Sequence, residues 1–190
     1  MYWRADISWA MRLNDTRRDF AFLQELPGQK LIMKGNHDYW WTTVSSMQRF
    51  LDQHRLNTLH FLHNNAVTAE GISLCGSRGW MFGEGGRAEG SITARELGRI
   101  RRSLAAAPPE NEKILFLHYP PIFGQQVIPE FFDAMKEYGV KQCFYGHLHG
   151  GAIPLAYQGE FFGVDCRLIS ADYLLSLIHI SEPTRPINLV

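Results

Sequence analysis

Short apolar runs alternate along this chain with stretches in which apolar residues recur at helical spacing. The runs at residues 30–33, 114–117 and 143–145 are each short and mostly apolar, which is typical of buried strands. Apolar residues at intervals of three and four predict helices over residues 15–26, 43–54, 91–107 and 129–138. Strands that alternate with helices favour a layered α/β fold.

Three parts of the chain depart from this alternation. Residues 57–76 hold three short β-prone runs separated by turn signals, and this pattern predicts an antiparallel meander. Residues 77–90 contain five glycines and predict a long surface loop near a functional site. Residues 152–168 predict two or three further strands. We therefore predict one α/β domain over residues 1–175, a layered α/β sandwich.

Polar residues follow three of the predicted strands. Those residues are Gly35-Asn36-His37-Asp38 after the first strand, His118 after the second, and Gly146-His147-Leu148-His149-Gly150 after the third. In α/β sheets the residues just beyond the carboxyl ends of strands gather in one crevice. Imidazole nitrogens and amide oxygens suit first-row divalent ions, and the flanking glycines allow the sharp turns that aim the side chains. The sequence predicts a metal site made by Asn36, His118, His147 and His149.

Composition excludes several classes of protein. Lys plus Arg and Asp plus Glu number 19 each, so the chain has no dedicated surface for nucleic acid or an anionic membrane. No apolar run reaches the roughly 20 residues of a membrane span, and the first residues lack a signal peptide's apolar core. The three cysteines are scattered through apolar runs, which predicts buried free thiols. A cytoplasmic enzyme is expected.

With these three motifs in this order, residues 5–175 resemble the calcineurin-like metallophosphoesterases. Members of that family hold two divalent metal ions in a cleft on top of a β-sandwich flanked by helices, and they hydrolyse phosphate esters. The resemblance implies a phosphohydrolase whose substrate is a small-molecule or macromolecular phosphate ester. Its cofactors would be two divalent metal ions, drawn from Mn, Fe, Zn, Ni and Co.

The same resemblance assigns roles to individual residues. Asn36, His118 and His147 would ligate one metal ion, and His149 would ligate the other. Asp6, in the segment Ala5-Asp6-Ile7-Ser8-Trp9, would bridge the two ions. His37 cannot share the direction of Asn36 along the chain, and its position makes it the candidate to donate a proton to the leaving-group oxygen, or a hydrogen bond to the transition state. Asp38 would orient the His37 ring and raise its pKa.

The ends of the chain depart from the family pattern. The family opens with an Asp-x-His motif, which is not found upstream of Asp6, and Ala5 stands where the family has glycine. We therefore expect a missing first strand–helix unit. Residues 176–190 resemble the translation of a sequencing adapter, which predicts a non-native tail; a strand followed by a proline-broken tail is the alternative.

Alternatives remain open for the function and for single residues. The chain could be a catalytically silent metal- or phosphate-binding fragment, whereas a structural zinc domain is disfavoured because no cysteine is placed to ligate. His37 could be a buried turn histidine. Arg78 could hold a substrate phosphate, but we interpret it as a solvated loop arginine. His54, His60 and His63 are interpreted as surface or packing residues, and residues 39–41 as core or cleft wall.

Overall fold

The described residues form two main β-sheets, which pack face to face between layers of helices, and a separate two-stranded sheet. In this computed structural model, residues 2–4, 6–80 and 90–181 are described. The strands are β1 (Tyr2–Arg4), β2 (Lys30–Ile32), β3 (Leu59–Phe61), β4 (Ala66–Ala69), β5 (Ile72–Ser77), β6 (Glu112–Leu117), β7 (Ile122–Phe123), β8 (Gln126–Val127), β9 (Gln142–Tyr145), β10 (Gly159–Phe161) and β11 (Val164–Leu168). The helices are α1 (Arg17–Glu25), α2 (Val44–Gln53), α3 (Gly90–Ala105), α4 (Pro129–Glu137) and α5 (Ala171–Ser181), with 3-10 helices at Leu13–Thr16 and Gly150–Leu155.

The central strands of each main sheet pair in parallel. The smaller sheet has the order β1-β2-β3, and all of its pairs are parallel. The larger sheet has the order β10-β11-β9-β6-β5-β4, in which β11, β9, β6 and β5 are parallel neighbours. Antiparallel hairpins add β10 and β4 at its two edges. The carboxyl ends of the parallel strands therefore share an edge in each sheet.

Helices cover the outer face of each sheet because their apolar stripes meet the apolar side chains of the strands. On the smaller sheet, Phe20 of α1 and Met47 of α2 pack against Ile32 and Leu59. On the larger sheet, helices α3 and α4 pack against β6 and β9. Their contacts involve Ile100, Leu104, Phe131, Met135, Leu115 and Cys143.

The inner faces of the two sheets meet in a smaller apolar layer. Leu31, Met33 and Leu62 of the smaller sheet lie against Leu74 and Phe116 of the larger one. The sheets approach closely at Gly76, where a Cβ atom would come within 2.6 Å of Leu62 Cδ2. The predicted fold class, an α/β layered β-sandwich flanked by helices, is confirmed.

The predicted meander over residues 57–76 is wrong in part. Strand β3 pairs in parallel with β2 in the smaller sheet, and only β4 and β5 form an antiparallel hairpin. Short apolar strands look alike whichever neighbour they pair with, so local pattern does not select the partner. The segment predicted as two or three strands begins as the 3-10 helix and then supplies β10 and β11.

Two sequence predictions fall partly beyond the part of the chain that is described. Of the glycine-rich loop, residues 81–89 lie outside the described residues, and so does residue 5. Residues 182–190 of the predicted tail also lie outside them, while α5 crosses the predicted boundary at residue 175 and continues to Ser181.

Two further expectations concern cysteines and membranes. Cys75, Cys143 and Cys166 are all buried free thiols, as predicted. Among the helices of the described ranges, none combines the length and the apolar character that crossing a bilayer requires.

Candidate metal centre

Four of the predicted ligands lie directly beyond the carboxyl ends of parallel strands. Asp6 follows β1 and Asn36 follows β2 in the smaller sheet. His118 follows β6 and His147 follows β9 in the larger sheet. Because the two sheets are stacked, the four side chains meet where the strand ends of both layers face each other.

The four side chains form a cluster centred on the Asn36 amide oxygen. His118 Nε2 lies 2.7 Å from Asn36 Oδ1, and His147 Nδ1 lies 3.0 Å from the same atom. Asp6 Oδ2 lies 3.6 Å from His118 Nε2. Ligands that each sit about 2.0–2.2 Å from one metal ion are themselves about 3 Å apart. The spacing of these nitrogen and oxygen atoms therefore fits a shared cation.

The composition of the cluster also fits a metal. Within the described ranges, no three His, Cys, Asp or Glu side chains form a metal-binding group by themselves, and in this cluster the Asn36 amide oxygen lies beside both imidazoles. Burial lowers the pKa of His118 to about 2, assisted by the charges of His147 and Arg78. Burial also lowers the pKa of His147, an effect that Asp6 opposes. Neutral imidazoles have the free lone pair that a metal ion requires.

The backbone is strained at two of these positions. Asp6 has φ 54° and His147 has φ 69°, in a region that residues other than glycine rarely adopt. Such strain costs of order 1–3 kcal/mol at each residue and is concentrated at functional sites. Gly35 lies directly against Asp6, since the two follow neighbouring strands, and a Cβ atom there would lie 1.9 Å from Asp6 Oδ1. Only glycine leaves room for the Asp6 carboxylate.

Asp38 holds the loops together instead of orienting His37. Its Oδ2 accepts hydrogen bonds from the backbone N–H groups of Asp6 at 3.0 Å and Gly35 at 2.8 Å. Its Oδ1 accepts from Ile7 N at 3.0 Å and Trp40 Nε1 at 3.1 Å. Burial raises the pKa of Asp38, while the hydrogen bond from Gly35 opposes the rise. The predicted contact with the His37 ring is therefore corrected, because both carboxylate oxygens are directed at other donors.

His37 lies at the surface of the cleft with an ordered ring. Its backbone N–H donates to Asp6 Oδ1 at 2.8 Å. Its ring stacks on Trp9 at 4.3 Å between centroids and 7° between planes. The Tyr39 hydroxyl lies 3.5 Å from its Nδ1. The side chain is half-buried, so it is not the buried turn histidine of the alternative interpretation.

His149 lies at the edge of the cluster and has a carboxylate partner of its own. Its Nδ1 is 2.9 Å from Asp172 Oδ1, and its side chain is 58% exposed. Asp172 Oδ2 accepts a hydrogen bond from Gly150 N at 2.9 Å. The charge of His149 still lowers the pKa of both His118 and His147, so it is a neighbour of the cluster. Sequence reasoning missed Asp172, which lies 23 residues downstream on α5 without a motif around it.

Arg78 is not the solvated loop arginine of the sequence interpretation. Its guanidinium lies 4.5 Å from the Trp80 ring centroid and 5.6 Å from that of Tyr119. The Tyr119 ring in turn lies 4.3 Å from the His147 ring. Stacking between aromatic rings therefore fixes a positive charge beside the candidate ligands.

Comparison with known proteins identifies the fold and the family. Residues 6–151 match the family model of the calcineurin-like phosphoesterases. A search of curated proteins found no match. One crystal structure has a TM-score of 0.53 at 12% identity, covering 81% of this chain and 62% of its own. The crystal structure of TT1561 of Thermus thermophilus has a TM-score of 0.52 at 16% identity, covering 77% of this chain and 68% of its own.

These structural neighbours share the fold at low sequence identity, and the chain spans less than two thirds of the length of the first. The family match covers most of the chain and includes every predicted site residue. The strand-end cluster at Asp6, Asn36, His118 and His147 lies within that match. This chain belongs to the calcineurin-like phosphoesterases.

Proposed function

We propose that this protein hydrolyses a phosphate ester with the help of two divalent metal ions at the strand-end cluster. The observation that supports this most is the convergence of His118 Nε2 and His147 Nδ1 on Asn36 Oδ1. Asn36, His118 and His147 would hold one ion, His149 the other, and Asp6 both. The ions would supply positive charge that lowers the pKa of the attacking water molecule. The same charge would offset the negative charge on the phosphate group.

The protein side chains contribute position and proton transfer. Asp6 is held by its own backbone hydrogen bond to Asp38, and its Oδ1 accepts from His37 N. Asp172 contacts Nδ1 of His149, so Nε2 is the ring nitrogen that would serve as the metal ligand. Asp38 acts as a positioning residue for both Asp6 and Gly35.

His37 is the candidate proton donor. As a general acid the ring must carry N–H groups on both nitrogens; Nδ1 can then donate to the Tyr39 hydroxyl oxygen 3.5 Å away, and Nε2 carries the proton to be transferred. Stacking on Trp9 fixes the plane of the ring, so Nε2 keeps one direction. From Nε2 the proton would pass to the leaving-group oxygen as the ester bond breaks, and the ring would be left as a neutral imidazole.

Metal binding tests the cluster directly. We expect Asn36→Ala to weaken Mn²⁺ binding by at least about tenfold, because this ligand orders both imidazoles. Calorimetric titration measures the affinity, and turnover of a panel of phosphate monoesters and diesters is measured beside it. Asn14→Ala, at an exposed position in the first 3-10 helix, is the control. Unchanged Mn²⁺ affinity in Asn36→Ala, or full turnover in EDTA, would contradict the proposal.

The role of His37 can be tested by comparing phosphate esters that have different leaving groups. In His37→Ala we expect kcat/KM for an alkyl phosphate to fall by about a hundredfold, because the alkoxide must be protonated as it leaves. The loss for p-nitrophenyl phosphate should be much smaller, since nitrophenolate is a stable anion. His60→Ala, which removes an exposed histidine bonded to Gln29, serves as the control. Equal losses for both esters would show that His37 does not donate the proton.

A further inference from the structure

A basic cavity adjoins the candidate metal centre. Its volume is about 510 Å³, which is the size of a small-molecule site. The residues that line it include four cationic side chains, and none of those in the described ranges is a carboxylate. The lining residues are Lys34, Trp41, Thr42, Thr43, His63, Asn64, Arg78, Arg95 and Arg99.

The cationic side chains of the cavity lie close enough together to lower the pKa of their neighbours. After burial, the charges of Arg78 and Arg99 are the main causes that lower the pKa of Lys34. Burial, with Arg99 and Lys34, lowers the pKa of His63 to about 4, so this ring is neutral at pH 7. Among the described residues, two carboxylates lie near the wall: buried Glu96 pairs with Arg99, and the charge of Asp38 acts on Lys34. Four cations against these two anions leave an excess of positive charge at the cavity.

Two donors in the cavity wall are buried and lack a partner. Arg78 Nε and Trp41 Nε1 have no hydrogen-bond acceptor among the described residues. A buried donor that finds no acceptor is costly, and native proteins rarely leave one unpaired. Thr42 and Thr43 place the amino terminus of α2 on the same rim, where the helix dipole favours an anion.

The cavity and the metal centre share a wall. Arg78 stacks over Tyr119, and Tyr119 packs on His147. Lys34 lies two residues before Asn36 on the loop that follows β2. Arg78 and Lys34 therefore line the cavity and also lie close to the candidate ligands.

We propose that this basic cavity binds a second phosphate group of the substrate, other than the one that is hydrolysed. The inference rests on the proposed function and narrows its substrate class to small molecules that carry more than one phosphate. An arginine guanidinium group can donate two parallel hydrogen bonds to a phosphate group. A phosphate dianion also neutralises more of the excess positive charge than a carboxylate does. Neutral His63 and Asn64 can add hydrogen bonds without adding charge.

Pyrophosphate binding to the metal-free protein tests the cavity without depending on catalysis. In EDTA we expect saturable binding of inorganic pyrophosphate by calorimetry. Arg95→Gln, at an exposed position on α3, should raise the Kd by about tenfold because one charged hydrogen-bonding group is lost. Arg18→Gln removes the same charge from an exposed position on α1 and should change the Kd by less than about twofold.

The outcomes separate this inference from the proposed function. Absent pyrophosphate binding, or equal effects of Arg95→Gln and Arg18→Gln, would overturn it. So would binding that is lost in Asn36→Ala but kept in Arg95→Gln, since the anion would then occupy the metal cluster. Pyrophosphate binding that depends on Arg95, together with no turnover of any metal-supplemented ester, would support the cavity and count against the hydrolase.

Discussion

Gly35→Ala is expected to remove measurable metal binding while leaving the rest of the fold in place. The new methyl group would lie 1.9 Å from Asp6 Oδ1, far inside van der Waals contact. Either the Asp6 carboxylate rotates away, or the loop after β2 shifts and carries Asn36 with it. Both adjustments misplace a ligand, and overpacking of this kind typically costs about 1–3 kcal/mol of stability. Mn²⁺ titration and thermal unfolding measure the two effects.

Gly98→Ala is the matched control for this substitution. Gly98 lies on the exposed side of α3, and a Cβ atom there would have open space around it. Alanine in place of glycine inside a helix should raise stability by about 1 kcal/mol and leave Mn²⁺ affinity unchanged. If Gly35→Ala bound Mn²⁺ as tightly as Gly98→Ala, then the Asp6 carboxylate would not be a ligand held by that close approach.

Asp38→Asn is expected to destabilise the protein by about 3 kcal/mol, although it changes only one atom of the side chain. Each carboxylate oxygen of Asp38 accepts two hydrogen bonds from buried or half-buried donors. The amide oxygen of asparagine can accept one pair of these hydrogen bonds. Its NH₂ group would then face the two N–H donors of the other pair, and no hydrogen bond could form there. Chemical denaturation followed by tryptophan fluorescence measures the loss, since Trp40 is one of the donors.

Asp133→Asn provides the comparison for a carboxylate outside such a network. Asp133 is exposed on α4, so its replacement should change the free energy of unfolding by less than about 0.5 kcal/mol. A loss in Asp38→Asn as small as that in Asp133→Asn would mean that the loops after β1 and β2 do not depend on this carboxylate.

Sequence predicted the features that depend on local pattern. Apolar periodicity and turn residues predicted helices α1 to α4 and strands β2, β6 and β9, together with the positions just beyond those strands where Asn36, His118 and His147 lie. They did not predict β1 or helix α5. Prediction from the sequence failed where a feature depends on a contact between residues that are far apart in the chain. The partner of β3 and the location of Arg78 between aromatic rings are such contacts.

Asp38 shows why neighbours in sequence are poor guides to partners in space. It follows His37 directly, which suggested a pair, yet its donors include Asp6 and Ile7, more than 30 residues away. Asp172 makes the same point for His149, 23 residues apart. In both cases the chain turns back on itself at a loop, and the identity of the partner depends on how two segments dock. Residue type alone carries no information on that docking.

The candidate ligands are divided between the two sheets, and this has a consequence for cooperativity. Asn36 comes from the smaller sheet, whereas His118 and His147 come from the larger one, across an apolar layer of few side chains. A cation shared among them would tie the two halves of the sandwich together at their open edge. Separation of the halves would then require loss of the ion, so amide hydrogens in both sheets would exchange in one concerted opening.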